Sequence, residues 1–170
     1  LEPGAVDAVM RQLGVPMGPF ETMDFAGLDI AAHGSAYFAQ AIHPDFAIGK
    51  TIKKMVEEGR HGKKTGRGIF DWSAGRPAID LAKATPKFDP MDMVAVNANE
   101  AMKIVELGAC RMEDVDVAII NGTGNPMGLL ALVKGLPPED LVARLEGLAQ
   151  RYNKEIFKPT AYIREGKYRG

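Results

Sequence analysis

The sequence predicts an all-α protein made of two tandem helical units. Apolar residues recur at three- and four-residue steps through most of the chain, no stretch reads as a convincing strand, and one pattern of residues occurs twice in the same order. Val6-Asp7 precedes Pro16-Met17-Gly18 by ten residues, and Val115-Asp116 precedes Pro126-Met127-Gly128 by eleven. Each copy then runs to a Glu-Gly-basic stretch, Glu58-Gly59-Arg60 in the first and Glu165-Gly166-Lys167 in the second. The expected organisation is a first unit over 1–75, a linker over 76–90 and a second unit over 91–170, with each Pro-Met-Gly closing the short helix before it.

Each element has a local reason. Val6, Val9, Met10 and Leu13 mark a first helix that starts at Pro3-Gly4, carries Asp7 near its positive end and stops at Gly14. Phe20 to Phe25 reads as a short helix, and Gly27 to Phe38 as a longer one weakened by Gly34. His43-Pro44-Asp45 is a turn. Lys50 to Glu58 is amphipathic, with Ile52, Met55 and Val56 inward and Lys53, Lys54 and Glu57 outward. Gly66 to Trp72 reads as an extended arm. Residues 73–90 hold Gly75, Pro77, Pro86 and Pro90, which leaves room for one helical turn at most. Met91 to Leu107 is the longest helix, and nothing like it precedes the first unit. Short helices follow over Glu113 to Ile120 and Met127 to Val133. Pro138 then opens a helix whose Leu141, Val142, Leu145, Leu148 and Tyr152 share one face.

Composition excludes several classes of function. The 170 residues carry 21 Lys+Arg against 22 Asp+Glu, so no basic excess favours nucleic acid. No apolar run approaches the roughly 20 residues of a membrane span. One cysteine, Cys110, fits a reducing compartment, and a cytoplasmic location is expected. The chain begins at Leu1 without an initiator Met and without a counterpart to the Met91–Leu107 helix, so it reads as part of something longer.

Candidate chemistry is sparse. Gly62-Lys63-Lys64-Thr65 ends like a phosphate loop, but Glu57 stands where the pattern needs its first glycine, and a turn after a helix accounts for it. No glycine-rich fingerprint follows a strand, so this chain alone is not expected to bind NAD. His33, His43 and His61 lack metal-ligand spacing to any Cys or carboxylate. The basic stretch of Lys50, Lys53, Lys54, Arg60, Lys63, Lys64 and Arg67 is either a solvated face, which physics favours, or a patch for the phosphates of a nucleotide-bearing ligand. Pro16-Met17-Gly18-Pro19-Phe20 is the most specific local feature. It is either a helix–helix corner or a rigid apolar wall beside a ligand channel.

These residues taken together resemble a known family. Asn99-Glu100-Ala101, Glu106 with Gly108, Val115-Asp116 and Pro126-Met127-Gly128 are similar to the C-terminal domain of 3-hydroxyacyl-CoA dehydrogenases. The first unit resembles it more fully. Val6-Asp7, then Gly14 through Glu21, then Asp24 with Gly27-Leu28-Asp29, then Glu58 through Asp71 follow the family pattern in order. The resemblance implies a helical fold like the 6-phosphogluconate dehydrogenase C-terminal domain. It implies NAD-dependent oxidation of 3-hydroxyacyl-CoA in fatty-acid β-oxidation by the full-length enzyme, with NAD not bound by this piece. The family's general base His, its Glu partner and an assisting Asn would fall in an upstream Rossmann domain and the opening helix. Met91 takes the place of that Asn in the second unit. No catalytic, cofactor-binding or metal-binding residue therefore carries over. What carries over is a substrate-side wall at Pro16, Met17, Gly18, Pro19 and Phe20. Single-copy members pair this domain in a homodimer, so the resemblance also implies pseudo-twofold packing of one unit on the other. Some self-association through the apolar groove left open in the first unit is expected. A non-catalytic helical scaffold or interaction module is the competing reading.

Overall fold

The computed structural model describes residues 1–123 and 126–170, and within them it is helical, with no strand. Contacts divide the chain into two compact units, Leu1–Phe88 and Asp89–Gly170.

The first unit contains α1 (Pro3–Gln12), α2 (Pro19–Ala26), α3 (Leu28–Ala41) and α4 (Lys50–Glu57). Prolines at the starts of α1 and α2 sit where a helix has no use for the missing N–H. Successive helices pack on one another: α1 on α2, α2 on α3, α3 on α4. The buried apolar set is small, namely Val6, Ala8, Leu28 and Trp72. On α3, Ile30, Tyr37 and Phe38 stay exposed, as does Ile42 just past its end. The arm after α4 forms no strand. It folds into a tight loop with isolated bridges pairing Gly62 with Arg67 and Arg67 with Asp71. The following segment makes one 3-10 turn, Leu81–Lys83, which lies against α1, and Gln12 Nε2 donates to the Leu81 carbonyl at 3.0 Å.

The second unit opens with α5 (Pro90–Glu106), capped by Asp89, whose carboxylate accepts the Met91 N–H. Then come α6 (Met112–Thr123), α7 (Leu129–Val133), α8 (Pro138–Tyr152) and α9 (Ala161–Arg164). Helix α5 packs on α7, α8 and α9, and a larger core closes around it from Ala95, Ala98, Met102, Val133, Leu141, Leu145 and Ile163. Helix α9 is too short to show periodicity, and the Thr160 hydroxyl caps it. Cys110 is half-buried against this core.

Four helices follow one order in both units, α1 to α4 and α6 to α9. Helices α3 and α8 begin the same ten residues after Gly18 and Gly128. No element of residues 1–88 corresponds to α5. Both corner glycines are N-caps, of α2 and α7. The Pro-Met-Gly stretches therefore open the next helix, where the sequence suggested that they close the previous one.

Candidate functional site

The Pro16–Phe20 corner is built from α1. Asp7 is fully buried in the middle of α1, not in its first turn as expected. Its carboxylate reaches past its own helix to accept the N–H groups of Phe20 at 3.0 Å and Glu21 at 2.8 Å, the free donors at the start of α2. Burial pushes the Asp7 carboxyl above its ordinary pKa, against the pull of these two hydrogen bonds. Gly18 must be glycine, since a Cβ there would stand 2.3 Å from the Asp7 carboxylate and 2.5 Å from its Cα. Unit 2 repeats the device. Asp116 accepts from Leu130 at 2.7 Å and Ala131 at 3.0 Å, and a Cβ on Gly128 would meet its carboxylate at 2.1 Å. The recurrent Asp and Pro-Met-Gly thus form one clamp between two helices.

The first corner carries more. Glu21, in the first turn of α2, is fully buried, and Arg11 holds one of its oxygens at 2.5 Å. Arg76 holds the other at 2.5 Å and also donates to the Pro16 carbonyl at 2.5 Å. Burial would raise the Glu21 pKa; the hydrogen bonds and charges of Arg76 and Arg11 outweigh it and lower the value. Pro16 is exposed, Gly18 is buried, and Met17, Pro19 and Phe20 are half-buried. The sequence pattern singled out the corner but missed Asp7 as its clamp and Glu21, Arg11 and Arg76 as its ties. The repeated spacing of Asp7 and Asp116 was the available signal for the first. Nothing local marks the Arg76 tie, which spans fifty-five residues.

A second clamp closes the arm. Fully buried Asp24 accepts the N–H groups of Ile69 (2.9 Å) and Phe70 (2.8 Å) and the indole Nε1–H of Trp72 (3.0 Å). Gly62 and Gly68 pass so close that a Cβ on either would fall within 2.2 Å of Asp24. The stretch that looked like a phosphate loop instead packs Gly62 on the Asp24 backbone, just before the residues that cradle the Asp24 carboxylate. Much of the basic stretch is likewise engaged within the protein. Lys64 pairs with Asp29 at 2.5 Å, Arg60 reaches Glu58 at 3.6 Å and the Gly68 carbonyl at 2.5 Å, and Lys63 lies 4.3 Å from the centre of the Phe25 ring.

In unit 2 the Asn99-Glu100-Ala101 stretch also has internal work. Fully buried Asn99 accepts the Thr160 N–H at 3.0 Å and donates to the Lys158 carbonyl at 2.9 Å. Glu106 accepts the Tyr162 N–H at 2.6 Å, so α5 holds the start of α9 by two side chains. Met91 lines an open hollow of about 550 Å³ with Asp92, Arg144 and Arg151; Arg144 is tied to Asp89 and Asp92.

The described residues form no strand, and so no strand–turn–helix cradle of the dinucleotide-binding kind. Among the described residues no cluster of three or more His, Cys, Asp or Glu could hold a metal ion. No helix of the described residues is long and apolar enough to cross a membrane.

The model of the family described as 3-hydroxyacyl-CoA dehydrogenase, C-terminal domain, matches residues 1–72 and 92–166. The glyoxysomal fatty acid β-oxidation multifunctional protein MFP-a of Cucumis sativus is 26% identical across 100% of this chain, which spans 27% of that protein. A 3-hydroxyadipyl-CoA dehydrogenase of Escherichia coli is 37% identical over 52% of this chain and 20% of its own length. The crystal structure of a 3-hydroxybutyryl-CoA dehydrogenase from Escherichia coli shares the fold, with a TM-score of 0.81 at 21% identity over 97% of this chain and 54% of that one.

Proposed function

Since the chain belongs to the 3-hydroxyacyl-CoA dehydrogenase C-terminal domain family, we propose that it is the substrate-side helical part of a longer NAD-dependent 3-hydroxyacyl-CoA dehydrogenase of fatty-acid β-oxidation. Hydride transfer and the acid–base residues belong to a nucleotide-binding Rossmann domain elsewhere in that protein. This chain's task is to present an apolar wall to the acyl chain of an acyl-CoA and to supply packing surface. The clamped Pro16–Phe20 corner carries the reading. Its backbone is fixed at both ends, while Met17 and Phe20 keep part of their apolar surface uncovered. A preformed apolar wall is what an alkyl chain can use, because burying each CH₂ contributes about 0.8 kcal/mol.

Calorimetric titration with a medium-chain 3-hydroxyacyl-CoA and with CoA alone tests this. The expected result is weak binding that depends on the acyl chain and falls with Phe20→Ala. Equal affinity for both ligands, or none for either, overturns the wall. Stoichiometric capture of NAD by this chain would overturn the assignment of the nucleotide to another domain.

The single half-buried cysteine supports a reducing compartment such as the cytoplasm.

A further inference from the structure

Arg76 joins both ends of the corner with one side chain. Its Nη2 donates to the carbonyl of Pro16, the first corner residue. Its Nε donates to Glu21, the residue directly after Phe20. The planar guanidinium makes this span with two donors fixed relative to each other, which a lysine ammonium cannot reproduce. Arg11 holds the other oxygen of Glu21, so the carboxylate is fixed on both oxygens.

The second unit shows that the corner folds without this tie. Three residues after its glycine stands Ala131 where unit 1 has Glu21, and α7 begins with Leu129 and Leu130 where α2 has Pro19 and Phe20. The aspartate clamp is enough there. Burying a carboxylate costs free energy that its partners must offset, and a well-packed apolar residue often serves stability as well. Unit 1 nevertheless keeps a buried glutamate and brings an arginine from beyond the arm to meet it. The added ion pairs sit at the one corner where Met17 and Phe20 form a wall.

We propose that Arg76 is a positioning residue that locks the Pro16–Phe20 wall, and so sets how strongly the site discriminates between acyl chains of different length. This rests on the reading of the corner as the acyl wall. Arg76 hydrogen-bonds Glu21 and the Pro16 carbonyl, and acts through them. With its side chain 53% exposed it lies on the outer side of the corner, so its loss leaves the Asp7 clamp in place.

The test has two arms, run on Arg76→Ala and Arg76→Lys. Hydrogen exchange reads the lock. The Phe20 and Glu21 amides, which donate to Asp7, should exchange roughly tenfold faster in both variants as the corner opens more often, the scale of losing one charge-assisted hydrogen bond. Amides of α3 and α4 should not change, which confirms that the first unit stays folded. Titration with short- and long-chain acyl-CoAs reads the wall. Both variants should lose most of the gain that the longer chain brings, while affinity for CoA alone stays as it was. Unchanged exchange at Phe20 and Glu21 overturns the lock. Faster exchange with intact chain-length discrimination makes Arg76 a structural tie only and overturns the positioning role. Absence of any acyl-dependent binding in the unsubstituted chain overturns the wall itself, an outcome distinct from the other two because the exchange arm needs no ligand.

Discussion

At the corner of unit 1, an aspartate in mid-α1 takes the N–H groups of Phe20 and Glu21; at the corner of unit 2, one in α6 takes those of Leu130 and Ala131. Each presses on a glycine with no room for a Cβ. The units then diverge. Unit 1 spends buried charge around its corner, with Glu21 between Arg11 and Arg76, and places a second carboxylate, Asp24, under its arm. Unit 2 spends apolar surface, with Leu129, Leu130 and Val133 buried under α5. What both units keep belongs to the fold, and what only one has is where a task beyond folding is to be sought. On that criterion the clamp is architecture, and the Glu21–Arg76 tie is the specialised part.

Breaking the shared clamp should have the largest effect. Gly18→Ala places a Cβ against both the carboxylate and the Cα of Asp7, and backbone cannot step aside. We expect a loss of about 3 kcal/mol or more, the upper range for overpacking. For Gly128→Ala the nearest atoms are all in the Asp116 side chain, and it should cost less. Thermal melts of the two variants decide it; equal losses would mean that the clamps are equally rigid.

Asp24→Ala comes next. It leaves two backbone N–H groups and the Trp72 indole without their acceptor, at an expected cost of about 3 kcal/mol. Unit 1 alone should feel it, because unit 2 has Lys134, not an acid, six residues after its corner glycine. Trp72 fluorescence follows the arm, and circular dichroism follows the helices. Loss of both together would mean that the arm is integral to the first unit's fold.

Much of the helical order was legible because it rests on short-range rules. Pro138–Tyr152 ends where its apolar stripe and prolines place it, and the repeated Asp and Pro-Met-Gly spacing showed two copies. The clamps were not legible. Asp7 acts thirteen residues away, Asp24 forty-five and Arg76 fifty-five, and no local preference encodes a partner at that distance. The same holds for residues 76–90. Their prolines read as a linker, yet Arg76 and the Leu81 carbonyl are both held by the first unit. At the candidate site the motif Pro16 to Phe20 was visible, but the network that fixes it appears only after folding.

Acid should separate the two buried carboxylates of unit 1. Glu21 has a lowered pKa when folded, so its contribution is present above the ordinary glutamate value and is lost as pH falls through the lowered one. Asp7 has a raised pKa, so its contribution is present below the ordinary aspartate value and is lost as pH rises through the raised one. Glu21→Gln should therefore cost stability above about pH 5 and progressively less as pH falls, so that its acid profile is flatter than that of the unsubstituted chain. Melts in steps from pH 6 to pH 3 measure it. An unchanged acid profile would show that the two arginines do not hold Glu21 ionised.

The smallest effect asks whether the exposed face of α3 is free. Gly34 lies mid-helix with nothing within 4 Å of where its Cβ would be, and Gly147 of α8 is in the same position. In an open helix, Gly→Ala should stabilise by about 0.5–1 kcal/mol through the entropy of the unfolded chain alone. Gly34, however, lies between Ile30 and Tyr37, both mostly exposed apolar side chains, and close approach of a second surface would make a methyl group there a clash. Gly34→Ala should therefore stabilise dilute protein and weaken any self-association as concentration rises. Gly147→Ala should stabilise at every concentration. Melting and sizing-column elution measured together distinguish the cases: a Gly34 variant that gains stability equally at low and high concentration, with unchanged elution, would mean that the α3 face meets water alone.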